Sequence, residues 1–303
     1  MVLRAESPRG GTMTTSTTPT IPLSVGEQRR RRHAFLKSGV AWLIAGLYLF
    51  PVYWMITTSV KDKGETFAQP PHIVPQALNF DSYRATFEGS YGIWIALGNS
   101  LIIATGTLVF TLAIAVPAAY AVARMRTVTT TSMMVLLTVV QLLPAIAISI
   151  PMFVMFRQLG LVNTHLSIIL ADITVTLPFA VILLRPYFMQ FPYEVEEAAK
   201  LDGLGVIGTI VRIIIPTIRP GLVMIGSFAF LMAWGEFTFA LTLSPQQDVQ
   251  PLTVALNRLI GQYGTNWNDL MAVATIIALP VLFIFIALQR YIVSGLAGGA
   301  TKG

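Results

Sequence analysis

Six separate stretches of this chain stay apolar for about 20 residues or more, the length an α-helix needs to cross the hydrocarbon core of a bilayer. They run roughly over residues 34–60, 93–123, 128–156, 166–189, 216–243 and 270–289. Lipid offers no hydrogen bonds, so each such stretch must satisfy its own backbone groups, which a helix does. Composition agrees: apolar residues are 54% and charged residues 11% of the chain, against roughly 45–50% and about 25% in soluble globular proteins. Mean hydropathy is +0.70. The expected fold class is all-α, a polytopic membrane protein with six transmembrane helices. Residues 1–33 are expected to form a disordered basic tail and 34–294 the six-helix domain, which contains a polar loop over 192–216. Residues 295–303 are expected to form a C-terminal tail. Pro117, Pro144, Pro151, Pro178 and Pro280 lie inside spans, where proline bends a helix and frees carbonyls for other partners.

Lys and Arg set the orientation. With six spans both termini share one side, and that side carries fifteen of the twenty basic residues, including Arg29 to Arg32, Arg124, Arg126, Lys200 and Arg212. The positive-inside rule makes that side cytoplasmic. The net charge of +6 is therefore a topology signal. It is juxtamembrane and forms no basic domain, so nucleic acid is not an expected partner, while membrane lipid is. The Ser/Thr/Pro/Gly-rich start reads as disordered. The stretch over 34–60 is too long for a signal-peptide core and is read as a retained first span. Met13 is an alternative start to Met1.

The loop after the fourth span is patterned rather than featureless. Pro192 suits a first helical turn; Glu194, Glu196 and Glu197 place negative charge at that helix's positive end. Gly203 suits the left-handed residue that stops a helix. Ile207, Ile210, Val211 and Ile214 then share one face at helical spacing until Pro216. An amphipathic helix lying on the bilayer is the plainer reading. Three glutamates and Asp202 facing anionic headgroups count against it.

Catalytic residues and metal ligands are not expected. Cysteine is absent, so no disulfide or thiolate site exists. His33, His72 and His165 are far apart, and neither a GxxxxGK[ST] phosphate loop nor a G-x-S-x-G motif occurs. Three polar residues interrupt apolar spans: Asn99, Asp172 and Glu236. Counted from the outer span ends at roughly 1.5 Å per residue, all three lie about 9–11 Å deep. Intramembrane carboxylates face a cavity or a partner. Trp234 and Phe237 flank Glu236 with ring faces of the kind that stack on sugars. A polar substrate pathway is one reading of Asn99, Asp172, Trp234, Glu236 and Phe237; interhelical hydrogen bonding is the other.

The loop also carries a resemblance. Glu197-Ala198-Ala199, three residues, Gly203, nine residues and Ile213-Ile214-Ile215-Pro216 resemble the EAA loop of ABC importer permeases, E-A-A-x3-G-x9-I-x-L-P, with Ile215 where Leu is usual. Thr57-Thr58-Ser59-Val60-Lys61, Asn99-Ser100-Leu101, Tyr120-Ala121-Val122-Ala123-Arg124, Trp234-Gly235-Glu236-Phe237 and Pro251-Leu252-Thr253 are similar to motifs of the carbohydrate-uptake group. So is the ending from Gln289 to Gly303, with Thr301 where Val is usual. The chain resembles their second, six-span permease, the type of the maltose system's smaller permease.

The resemblance implies a coupling helix that docks on a cytoplasmic ATPase, with Glu196, Glu197, Ala198, Ala199, Asp202, Gly203, Leu204, Gly205, Ile213 and Pro216 as coupling residues. It implies a second ATPase contact by Gly298, Gly299, Lys302 and Gly303. It further implies a homologous second permease, two ATPase subunits that bind ATP and magnesium, and an extracytoplasmic solute-binding protein. The substrate would be a sugar: an oligosaccharide, disaccharide or related polyol. This chain would hold no cofactor and sit in a bacterial cytoplasmic membrane. The alternative is a self-sufficient ion-coupled secondary transporter or channel, which would use carboxylates such as Asp172 and Glu236 and need no docking loop.

Overall fold

Backbone hydrogen bonds close within each apolar stretch, as lipid requires. The computed structural model describes residues 25–88, 92–125, 127–261 and 264–300. Two compact units divide the chain, residues 1–52 and 53–303. Helix α1 (Val25–Ser59) begins nine residues earlier than the expected tail boundary at residue 34, because Glu27, Gln28 and Arg29 to Arg32 are good helix formers. Short helices α2 (Lys63–Thr66) and α3 (Asp81–Glu88) follow.

The second unit is organised around α4 (Ile93–Arg124). Next come α5 (Thr127–Val140), α6 (Ala145–Gln158) and α7 (His165–Gln190). The loop region holds α8 (Tyr193–Leu201), α9 (Val206–Thr209), a π-helical turn over Ile210–Ile214 and α10 (Ile215–Thr217). The chain then returns through α11 (Arg219–Trp234) and α12 (Thr238–Leu243). An outer α13 (Leu252–Arg258) and a two-stranded antiparallel ribbon, β1 (Ile260–Gly261) and β2 (Gly264–Thr265), lead into α14 (Trp267–Ala300).

Among the described residues, four helices are long and apolar enough to cross a membrane: 37–59, 93–124, 165–190 and 267–289. Two bent helix pairs bring the number to six if each pair is one span, in keeping with the expected six helices bent by proline. The third span breaks between α5 and α6 by 91°. Pro144 lacks an N–H and disfavours helix at Leu143, and the Gln141 amide leaves its own helix to donate to the Val175 carbonyl at 2.9 Å. That carbonyl lies in the turn of α7 disrupted by Pro178. The fifth span is α11 followed, after a break at Gly235 to Phe237, by α12. Its entry from residues 206–217 turns by 88° at Ile218.

Side-chain size dictates how these helices meet. In α4, Ala96, Ser100, Ala104, Thr107, Thr111, Ala115 and Ala119 are all buried; their spacing of three or four puts small groups on one face. In α7, Ile168, Asp172, Thr176, Ala180, Leu184 and Phe188 recur every fourth residue and are likewise buried. The two helices run parallel and in register: Thr107 meets Asp172 and Thr111 meets Thr176, pairs with the same separation of 65. Small residues allow such close approach in membranes. A Cβ on Gly106 would stand 2.5 Å from Ile169 Cδ1, and one on Gly221 of α11 would stand 2.6 Å from the Tyr187 ring.

Candidate functional site

Three polar features lie along the α4–α7 seam: one at the end beside α8, one midway and one at the end where α7 begins. The first is the loop that begins with α8. Pro192 is the residue before the helix rather than within its first turn, with Tyr193 as the first helical residue. The helix ends on a Schellman turn. Gly203 has φ +82°, its N–H donates to Lys200 O at 3.0 Å, and the Leu204 N–H donates to Ala199 O at 2.9 Å. A left-handed residue is strained unless it is glycine, so the sequence reading of Gly203 holds.

Opposite faces of α8 have opposite roles. Tyr193, Glu194, Val195, Glu197, Ala198 and Lys200 are exposed, and Leu201 is 90% exposed at the tip. Asp202, Gly203 and Gly205 continue this open surface, with Leu204 half-buried. Ala199 and Glu196 point inward, Glu196 with 1% of its surface exposed. Its carboxylate forms an ion pair with Arg124, accepts a second hydrogen bond from Arg124 Nε at 3.1 Å, and accepts one from Tyr120 Oη at 2.8 Å. Arg124 also donates to Phe191 O at 3.3 Å. Glu196 therefore faces α4, which corrects its grouping with Glu197 and Ala198 on a docking surface. Helical phase is the reason: Glu196 lies about 100° from Glu197 around the helix.

The apolar face expected over 207–214 is split. Ile210 and Ile214 are buried, whereas Ile207 and Val211 are 78% and 54% exposed. They line a cleft of about 510 Å³ with Leu112, Val116 and Pro117 of α4. Ile213 is half-buried beside the core and Pro216 is exposed. The π-helical turn over Ile210–Ile214 shifts the phase of this segment, so a regular period of 3.6 could not predict both faces.

The expected single polar layer is divided, because Asn99 and Asp172 lie at different levels. Asn99 lies level with His165, whose Nε2 is 2.7 Å from Asn99 Oδ1, while Asp172 lies level with Thr107. Eight residues of α4 separate these levels, about 12 Å. Counting from helix ends failed because α4 extends farther outward than α7. Asp172 is buried in the seam, with Thr107 Oγ1 3.4 Å from Oδ2 and Oδ1 without a partner. Glu236 is a helix cap. Its two carboxylate oxygens accept the N–H groups of Phe239 and Ala240 at 2.8 and 3.0 Å at the start of α12, where a negative charge meets the helix dipole. Trp234 is buried, donates Nε1–H to Ile277 O at 3.1 Å and stacks on Phe230. Phe237 is half-buried against the core beside Phe239. The Trp234 ring, 3% exposed, offers no free face of the kind that sugar stacking needs.

At the end where α7 begins, Asn99 Nδ2 donates to Asp248 O at 2.8 Å and Gln250 O at 3.0 Å. Ser100 Oγ accepts the Leu252 N–H at 2.8 Å. Asn163, at φ +63°, holds the same loop from α7's side: its amide donates to Asp248 Oδ1 at 3.0 Å and its Oδ1 accepts the Gln246 N–H at 3.1 Å. The interhelical hydrogen-bonding reading of Asn99 is what this geometry supports. The sequence reading missed Ser100, Asn163 and Gln250 because their partners lie some 80–150 residues away.

At the C-terminus, α14 stays helical through Ala300. Gly298 and Gly299 thus continue the helix rather than forming an extended tail from residue 295, because Leu296, Ala297 and Ala300 favour helix. Lys302 and Gly303 lie outside the described residues.

Comparison with known proteins defines the class to which this bundle and its capped loop belong. Residues 112–298 match the family described as binding-protein-dependent transport system inner membrane component. The chain belongs to that family and is a multi-pass membrane permease. It is 33% identical to the diacetylchitobiose uptake system permease protein DasC of Streptomyces coelicolor over 86% of this chain and 94% of that one. It is 32% identical to the trehalose transport system permease protein SugB of Mycobacterium tuberculosis over 86% and 95%. In fold it is similar, at 20% identity and a TM-score of 0.75, to a chain of a bacterial ABC transporter involved in import of the acidic polysaccharide alginate, covering 90% of this chain and 99% of that one.

Proposed function

We propose that this chain is a permease subunit of an ATP-driven importer for a carbohydrate, an oligosaccharide, a disaccharide or a related polyol. The observation that carries this reading is the open face of α8, with Glu197, Ala198 and Leu201 exposed and the helix stopped by Gly203. Small Ala198 lets another backbone approach, Leu201 offers an apolar knob, and Glu197 offers a charge for a basic or polar groove. Relatives named for diacetylchitobiose and trehalose favour a sugar.

Under this reading both termini and α8 are cytoplasmic, where a pair of ATPase subunits binds ATP and magnesium and hydrolyses it. A second, homologous permease completes the membrane pathway, and an extracytoplasmic solute-binding protein delivers sugar to the outer loop over 244–269. The end of α14, with Lys302 and Gly303 beyond it, forms a further ATPase contact. ATPase closure draws the α8 helices of the two permeases together and opens the pathway outward. This chain performs no covalent chemistry.

Co-purification and reconstitution test the proposal. The importer requires an ATPase to co-purify in detergent and uptake to depend on ATP and the binding protein. Gradient-driven uptake by the solitary reconstituted chain would establish the secondary transporter instead.

A further inference from the structure

We propose that Glu196 is a positioning residue: gripped by Arg124 and Tyr120, it makes α8 and the cytoplasmic end of α4 move as one body. This rests on the reading of α8 as the ATPase-docking helix and adds how its displacement reaches the rest of the chain.

The covalent path alone does not fix α8. Two extended residues, Phe191 and Pro192, join it to α7. On its other side lie the Schellman turn, the π-helical segment and the 88° elbow at Ile218. Side-chain hydrogen bonds tie it to α4 through Glu196. Arg124 supplies what the joint lacks. Its guanidinium holds the carboxylate of Glu196 within α8 and the carbonyl of Phe191 in the joint itself. The Arg124 guanidinium also sits 5.7 Å from the centre of the Tyr120 ring, and that ring meets Phe188 of α7 edge-on. A planar, forked cation suits this arrangement and an ammonium does not. Because Glu196 is buried, parting the pair leaves an uncompensated charge, so the clasp resists opening.

Helix α4 then acts as a strut. From Arg124 to Asn99 it spans 25 residues, about 37 Å. Its outer end holds the loop through Asp248 O, Gln250 O and the Leu252 N–H. Displacement of α8 is carried along α4 to the outer loop, on the face where substrate arrives.

The test uses the complete importer, reconstituted with its ATPases and binding protein. Glu196→Gln removes the charge with little change of shape, and Arg124→Lys keeps the charge but loses the fork. Both are expected to retain stoichiometric ATPase while sugar uptake per ATP hydrolysed falls about 5-fold or more, the scale of a coupling free energy between sites. The chain has no cysteine, so in a cysteine-free complex the pair Arg124→Cys and Glu196→Cys can be bridged by a bismaleimide. Bridging is expected to raise uptake per ATP above that of the unbridged pair. Unchanged coupling in Glu196→Gln and Arg124→Lys overturns the proposal, as does a bridged pair that remains uncoupled. Loss of the ATPase from Glu196→Gln would make Glu196 a docking contact and also overturns it. Failure of the docking reading shows separately, as an Ala198→Arg complex that keeps both ATPase and coupling.

Discussion

Glu236 shows how a single side chain changes meaning once its partners are known. An amide looks like a gentle replacement for a carboxylate because shape is preserved. Here both oxygens accept backbone N–H groups, from Phe239 and Ala240. An amide provides one acceptor, and its NH₂ group would face the second N–H donor to donor. Glu236→Gln is therefore expected to destabilise the start of α12 by about 1–3 kcal/mol, the penalty for an unmet buried donor. A lower midpoint in detergent thermal unfolding, with the apparent affinity for sugar unchanged, is the expected result; a shifted affinity at unchanged stability would point to the pathway instead. Trp234→Phe is expected to behave similarly, losing about 0.5–1.5 kcal/mol with the bond to Ile277 O. The sequence made both residues conspicuous, since a carboxylate and a large aromatic interrupt an apolar run. It could not distinguish a sugar from the protein's own backbone as their partner, because both present hydrogen-bonding groups to the same atoms.

At the level of elements, much was readable. Helix α7 matches the expected 166–189 to within a residue at each end, and α4 matches 93–123 likewise. The spacing of small residues along α4 marks the face that meets α7. The two bends were not readable as angles, because proline signals a break but its direction is set by what the freed groups find, such as Val175 O for Gln141. Two predictions belong here. Gly203→Pro is expected to abolish uptake while the chain still inserts, since proline's φ near about −65° cannot replace +82° and the N–H accepted by Lys200 O is lost. Gly203→Ala keeps that N–H and is expected to cost about 1–2 kcal/mol for the left-handed backbone, giving a partial loss. Quantifying uptake against the amount of chain in the membrane fraction checks this order. At the seams, Gly221→Ala is expected to destabilise more than Gly106→Ala. The former drives a methyl into the rigid Tyr187 ring, the latter into the end of the flexible Ile169 side chain, and thermal unfolding of the two variants decides.

At the scale of the second unit, Arg124 and Lys200 lie at the α8 end of the α4–α7 seam and a polar cluster around Asn99 lies at the other, so the two ends differ chemically. The basic count needs only a sum over the sequence, whereas the cluster around Asn99 was not legible, because its members lie in α4, in α7 and in the loops before α7 and before α13. Asn99 is its centre, accepting from or donating to His165 and donating to two loop carbonyls. Asn99→Asp is the most informative change. It replaces an NH₂ donor by a carboxylate oxygen that faces the Asp248 and Gln250 carbonyls, so two attractive contacts become repulsive ones, with almost no change in volume. If the loop over 244–252 is held for a solute-binding protein, freeing it should leave ATPase association and basal hydrolysis intact, because those depend on the opposite end of α4. Stimulation of hydrolysis by the sugar-loaded binding protein is expected to fall about 5-fold or more. Asn99→Ala, which removes the donor without adding charge, is expected to fall between the wild type and Asn99→Asp. Measured in the reconstituted complex, equal stimulation in all three would place the outer loop outside the delivery route and confine Asn99 to holding the helices together.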